Sequence, residues 1–350
     1  MNAVDQPQRP GPGEALPDER PASATRRTLA VELLVALAVV FAANLVAIEV
    51  GARGRLSVGT FIEAGKWRVV EELEQPVDWL IVGDSSAAFG VTRAELERGL
   101  GGRAINLATN QHQLVVGDAW MVQRYLERFP PPRGVIALHS VNVWWRTVGV
   151  AQTKLPLPWG YWDRLDPHVP FTTTMKWSYL TRRYLALWMQ SYMLSTRVLN
   201  PFGYDDEDTI GEAGFISWRK NDVPSVNRMV KGHRREARRR GDIRLSLANR
   251  QGLEALIRLT ERHGFDLFIG NGPICDQLKD DPDYGTNLAA VAKLLDVVDR
   301  RSRRVHHILR EPLSFPIREM QNPDHLLRPA ARRFTRALTA EIQAAAGRSP

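Results

Sequence analysis

Val77-Asp78-Trp79-Leu80-Ile81-Val82-Gly83-Asp84-Ser85-Ser86 is the stretch on which the fold turns. An apolar run of strand type stops at Gly83, and an acid and two hydroxyls follow it. A short apolar run bounded by turn residues reads as a buried strand of a parallel sheet. Open α/β sheets bind their ligands at the carboxyl ends of strands, which puts Ser85 where chemistry is done. The same residues also suit a strand followed by a helix cap, because Asp and Ser are favoured caps. On this stretch alone both readings stand.

Moving outward toward the C-terminus, Thr92-Arg93-Ala94-Glu95 has the spacing of a capping box, and Gly101-Gly102 stops the short helix that it opens. Ala104 to Leu107 is a second strand candidate, Val115 to Phe129 an amphipathic helix ended by Pro130 to Pro132, and Gly134 to His139 a third strand. The rhythm resumes late in the chain. Ala248 to His263 reads as a helix, Phe265 to Gly270 as a strand, Asn287 to Arg300 as a helix and Val305 to Leu309 as a fifth strand. A last helix starts near Pro329, with Phe334, Leu338 and Ile342 on one face. Strands alternating with helices over short connections predict an α/β fold, a three-layer doubly wound parallel sheet.

Between the two halves, residues 143–246 break the rhythm. Trp144, Trp145, Trp159, Trp162, Trp177, Trp188 and Trp218 fall there among prolines and arginines, so the segment reads as an insertion or lid. Tyr179 to Leu199 and the basic Lys231 to Arg240 read as helices within it. Tryptophans pack on sugar rings and membrane interfaces, but they also fill cores. A basic run is most often a solvated helix face, and the acidic Asp205-Asp206-Glu207-Asp208 lacks the spacing of a calcium loop.

Toward the N-terminus, residues 51–76 read as a polar, partly helical connector. Before it, Leu29 to Val50 is nearly unbroken apolar sequence, long enough for the about 20 residues a membrane helix needs. The expectation is a transmembrane anchor at 28–50, with a cleaved signal peptide and a buried soluble helix as rivals. Residues 1–27 are polar and Pro/Gly-rich and read as disordered. Arginines flank the span on both sides, so charge sets no orientation. The short leading tail favours an N-terminus inside, which puts the globular part in the periplasm or outside the cell. The 350 residues carry a net charge of +8 and a single cysteine, Cys275. That excludes an internal disulfide framework and cysteine-rich zinc sites, while the basic balance favours acidic surfaces without choosing one.

Gly83-Asp84-Ser85 after a first strand, with Asp324-His325-Leu326 before the last helix, resembles the SGNH/GDSL hydrolase superfamily, in particular its membrane-anchored branch associated with cell-envelope and exopolysaccharide acylation. The resemblance covers about residues 77–140 and 247–340 and implies an SGNH/flavodoxin-like domain in two halves, 77–142 and 247–345, around the insertion. It implies Ser85 as nucleophile, with Asp84 beside it, the Ser85 amide and the Asn142 side chain as oxyanion donors, and His325 as base. Acyl transfer needs these parts: a hydroxyl is a weak nucleophile until an imidazole takes its proton, and fixed donors must meet the developing oxyanion. The sequence departs from the family in two places. Asn322 stands three residues before His325 where the family has Asp, and no family glycine follows Asn106, where Thr109 and Asn110 are the nearest donors. Asp324 is adjacent to the histidine and poorly placed to reach its ring.

Beside these roles stand plainer ones. Ser85 suits a cap, Asn142 a turn, and His325 a helix entry. His306-His307 reads as structural, and His139 as a residue lining the pocket. The expected function is serine-dependent acyl-ester chemistry, O-acetyl transfer or ester hydrolysis, on an envelope or secreted polysaccharide, with no metal or organic cofactor. Its rival is a catalytically degenerate carbohydrate-binding or assembly component of a polysaccharide export or acylation complex. The partners implied are the membrane, a glycan and membrane-bound acyltransferase or export proteins, and not nucleic acid.

Overall fold

A computed structural model describes residues 22–52, 58–111, 113–148, 172–185, 212–216, 222–239 and 243–347. Two compact units are distinguished, residues 1–46 and 47–350. In the first, helix α1 (Ala22–Ala52) begins within the stretch expected to be disordered. Its segment Arg27–Val46 is long and apolar enough to cross a membrane. Leu33, Leu34, Val40 and Phe41 all lie at least 60% exposed there, the arrangement of a helix that is apolar all round.

The second unit is built on a five-stranded parallel sheet: β1 (Trp79–Gly83), β2 (Ala104–Asn106), β3 (Gly134–His139), β4 (Asp266–Asn271) and β6 (Val305–His307), in the order β2-β1-β3-β4-β6. Every residue of β1, β2 and β3 is buried, which requires cover on both faces of the sheet. Helix α5 (Leu114–Leu126) packs with α8 (Leu247–His263), whereas α3 (Ser85–Gly90) and α4 (Arg93–Leu100) pack with α11 (Arg328–Ala346). The α5–α8 approach is close because Gly252 has no side chain; a Cβ there would lie 2.6 Å from the backbone of Val115 and Val116. The strand order reverses between β1 and β3, and in such sheets the crevice for a ligand opens beyond the carboxyl ends at that reversal.

Several local expectations change. The stretch read as a polar, partly helical connector does contain a helix, α2 (Val58–Glu71), but its Ile62, Trp67 and Val70 are buried in the core with Glu63 and Lys66. Lys66 Nζ donates to the carbonyl and side-chain oxygens of Asn106 at 2.8 and 3.2 Å and to the Gly214 carbonyl at 2.5 Å. Burial holds its pKa well below the usual lysine range. Its charge makes the segment look exposed, but three carbonyl-type acceptors let it be buried. The capping box does not form. Thr92 is the N-cap of α4 without a side-chain cap bond, its N–H donates to Thr335 Oγ1 at 2.9 Å, and Glu95 pairs with Arg98 and Arg336 instead. A tertiary partner has displaced the local one. The helix expected from Asn287 starts earlier, as α10 (Pro282–Asp299), because Asp281 accepts from the Tyr284 N–H and proline occupies the first turn.

Of the inserted segment, α6 (Thr173–Tyr184), a 3-10 turn at Glu212–Gly214 and the basic α7 (Val223–Arg239) are described. Trp144 and Trp145 are buried core residues and Trp177 is 64% exposed. Trp159, Trp162, Trp188, Trp218 and Asp205 to Asp208 lie outside the described residues. Two small sheets complete the unit: β5 (Ile274–Cys275) beside β7 (Ser314–Phe315), and an antiparallel hairpin of β8 (Met320–Asn322) and β9 (His325–Leu326). A four-residue helix, α9 (Asp276–Lys279), follows β5.

Candidate active site

The site is assembled from the ends of β1 and β3 and from the β8–β9 hairpin. Gly83 ends β1 at φ 126°, and a Cβ there would sit 1.9 Å from the Leu138 carbonyl oxygen of β3. Only glycine allows both the turn and the close approach. The chain then enters α3, with Asp84 as its N-cap accepting from the Ser86 N–H at 2.9 Å. The Asp84 carboxylate is fully buried and spans the two strand ends. One oxygen takes the Ser86 N–H and the Ser86 hydroxyl (2.5 Å), and the other takes the Ser140 N–H (2.8 Å) and the Ser140 hydroxyl. Four donors saturate it, so Asp84 is a clamp that orients its neighbours and has no lone pair aimed at the pocket.

Ser85 is the next residue, at the first turn of α3, and it is partly exposed while Asp84 and Ser86 are buried. The tightness beneath it comes from the turn after β4: a Cβ on Gly272 would meet Ser86 Oγ at 2.1 Å. Asn142 lies in the turn after β3. Its side-chain amide lies 3.0 Å from Ser140 Oγ, whose one proton goes to Asp84, and 3.5 Å from Gln111 Oε1, the limit of a hydrogen bond. Asn142 is thereby held beside the Asp84 clamp. The loop that carries it is held by Asn249 of α8, whose Nδ2 donates to the carbonyls of Val143 and Trp144 at 2.7 and 2.9 Å. Gln111 thus occupies the neighbourhood where the sequence points to Thr109 or Asn110. Thr109 is buried, and Asn110 donates to the Glu63 carboxylate.

His325 arrives on the hairpin, which packs against α3 through β9. Its ring lies 4.6 Å from that of Phe89, centroid to centroid, and its side chain is 13% exposed. Asn322 faces it directly across the hairpin in register, and Asn322 Nδ2 lies 2.7 Å from His325 Nδ1. Asn322 Oδ1 accepts the Asp324 N–H at 3.0 Å. Asp324 Oδ1 stands 3.7 Å from His325 Nε2, outside hydrogen-bond range. Burial pushes the His325 pKa below the ordinary imidazole value, against the opposing pull of the Asp324 and Asp84 carboxylates, and His233 of α7 adds to the lowering. Among the described residues no hydrogen bond joins Ser85 to His325.

Tyr284 belongs to this neighbourhood although the sequence does not announce it. It is buried, and its pKa is raised by that burial and by the charges of Asp324, Asp84 and Glu236, so it stays a neutral phenol. Nothing in its sequence context singles it out; only the folded packing of α10 does. His139, which the sequence suggests could line the pocket, is a buried residue. It is 1% exposed and paired through Nε2 to Asp118 Oδ2 at 2.6 Å, below the site. His307 pairs with Asp296 at 2.7 Å, a carboxylate supplied by α10 and not by a neighbour in sequence. Among the described residues no three or more His, Cys, Asp or Glu side chains group as metal ligands.

The fold thus brings the turn of Ser85, the turn of Asn142 and the His325 hairpin to the reversal of strand order. No protein-family model matches the sequence. No curated protein matches it either.

Proposed function

We propose that the chain is a membrane-anchored protein of the SGNH/GDSL type, with an SGNH/flavodoxin-like domain on the periplasmic or extracellular side, and that Ser85 performs acyl-ester chemistry on an envelope or secreted polysaccharide. The observation that carries this reading is the meeting of Ser85, Asn142 and the His325 hairpin, from three distant stretches of chain, around the ends of β1 and β3. In the reaction, Ser85 Oγ attacks the ester carbonyl and its proton passes to His325 Nε2. Asn142 Nδ2 and the Ser85 N–H donate to the oxyanion of the tetrahedral intermediate. The intermediate collapses with release of the first alcohol, which takes the proton from His325. Water or a sugar hydroxyl then attacks the acyl-serine by the same route, restoring the Ser85 hydroxyl and delivering an acid or a new ester. Water as acceptor makes the protein an esterase; a sugar hydroxyl makes it an O-acetyltransferase. The partners of this reading are the glycan substrate and the membrane-bound acyl-transfer or export proteins that would supply the acyl group.

The test is release of acetate from an acetylated reporter by the full-length chain and by Ser85→Ala. Activity lost in the variant with the fold intact supports the enzyme. A second reading, a glycan-binding or assembly component that has given up catalysis, is favoured by Asn322 standing where a triad needs a carboxylate. It expects an inert wild type whose glycan binding survives Ser85→Ala.

A further inference from the structure

We infer that Asn322 is a positioning residue that holds His325 at rest with its proton on Nε2, so that Nε2 is a hydrogen-bond donor and not a base. Two hydrogen bonds fix this. Asn322 Oδ1 is occupied by the Asp324 N–H at 3.0 Å, so the amide nitrogen must be the atom that faces His325 Nδ1 at 2.7 Å. An amide NH2 only donates, so Nδ1 must present its lone pair, and in a neutral imidazole the proton then sits on Nε2. Turning the amide over would set its NH2 against the Asp324 N–H, donor to donor, and leave that N–H without its acceptor. Protonating the ring at both nitrogens would place Nδ1–H against the same NH2, and the lowered His325 pKa agrees in direction. The Asp324 carboxylate, 3.7 Å from Nε2, is the nearby charge, without a hydrogen bond to the ring.

The consequence for turnover rests on the acyl-ester reading, although the tautomer itself does not. A carboxylate at position 322 would accept Nδ1–H and free Nε2 to take the Ser85 proton. Asn322 withholds that form until its amide turns over, so the wild-type site is attenuated. In a serine-protease triad the reverse change, carboxylate to amide, costs about 10,000-fold in kcat by imposing the wrong tautomer. Asn322→Asp should therefore raise Ser85-dependent kcat by about 100- to 10,000-fold.

Nitrogen NMR of the full-length, histidine-labelled chain in detergent, with His325→Gln identifying the signal, tests the tautomer directly. The expected result is unprotonated Nδ1 and protonated Nε2 in the wild type, reversed in Asn322→Asp. Protonated Nδ1 in the wild type would overturn the inference. So would a wild type that hydrolyses an acetyl-ester reporter through Ser85 and gains nothing from Asn322→Asp. If neither protein shows Ser85-dependent turnover while the wild type keeps protonated Nε2, the acyl-ester reading fails and the tautomer assignment stands. Should Asn322→Asp not fold, Asn322→Ala serves: loss of the bias toward protonated Nε2 supports the inference, and an unchanged tautomer overturns it.

Discussion

His139 and His325 are each held by one side chain, but the holding atom differs. His139 Nε2 meets a carboxylate oxygen of Asp118 at 2.6 Å, whereas His325 Nδ1 meets the amide nitrogen of Asn322 at 2.7 Å. Both rings are shielded, and burial pulls the pKa of each downward. In His139 the Asp118 charge and hydrogen bond, with Asp84 behind them, outweigh that penalty and leave the pKa above the ordinary value. In His325 nothing comparable opposes it, and the pKa falls. The direction of the shift thus follows the partner. The two pairs also serve different ends. Asp118 Oδ1 accepts the Gly83 N–H at 2.9 Å, so the His139 pair ties α5 to the ends of β1 and β3. The His325 pair stands on the β8–β9 hairpin, which packs against α3.

Exchanging the two partners should exchange the behaviours. Asn322→Asp gives His325 the kind of partner His139 has, and it carries the largest expected effect, a gain of about 100- to 10,000-fold in Ser85-dependent rate. Asp118→Asn makes the opposite exchange. It removes the charge that raises the His139 pKa and disturbs the acceptor of the Gly83 N–H, and it should destabilise the fold by about 3 kcal/mol in urea unfolding. A loss below about 1 kcal/mol, the range of an exposed pair, would mean that the buried pair contributes no more than a surface one.

With pH the two histidines should move stability in opposite directions. His139 has a folded pKa above its unfolded value of about 6.5, so the folded state binds the extra proton. Its contribution is complete below about pH 6.5 and is lost as pH rises through the folded pKa. His325 has a lowered folded pKa, so its contribution is present above about pH 6.5 and is lost as pH falls toward the folded value. Unfolding of His139→Gln and His325→Gln against wild type, over a pH series, should therefore give stability differences of opposite slope. Slopes of one sign would show that the partner atom does not control the proton. The smallest expected effect belongs to Asp324→Asn. Removing that carboxylate, which is not hydrogen-bonded to the ring, should lower the His325 pKa slightly further in an NMR titration. A rise would assign the electrostatics of the rim to another group.

How much of this is legible in the sequence depends on the range of the interaction. The strands announce themselves because buried parallel strands are continuous apolar runs, and Val77 to Gly83, Gly134 to His139 and Phe265 to Gly270 are such runs. Strand order is not legible, since it depends on crossovers that no local pattern encodes. The burial of α2 is not legible because Glu63 and Lys66 carry charge, and their partners Asn110, Asn106 and Gly214 are far away in the chain. The capping box is a local pattern with a competing tertiary partner, Thr335. At the site, Ser85, Asn142 and His325 can be picked out by residue type and position, and the substitution at Asn322 is visible as a letter. Its consequence is not, because the tautomer follows from the direction of one backbone N–H, that of Asp324. The Asp118–His139 pair escapes for a similar reason: nothing in the sequence shows that α5 lays Asp118 beside the end of β3.

The most direct test of the account is acetyl-ester hydrolysis by Asn322→Asp with Ser85 intact and with Ser85→Ala. The account predicts turnover well above wild type in the first and none above background in the second. Equal rates in the two, or no turnover in a folded Asn322→Asp protein, would contradict Ser85 as the nucleophile of this site.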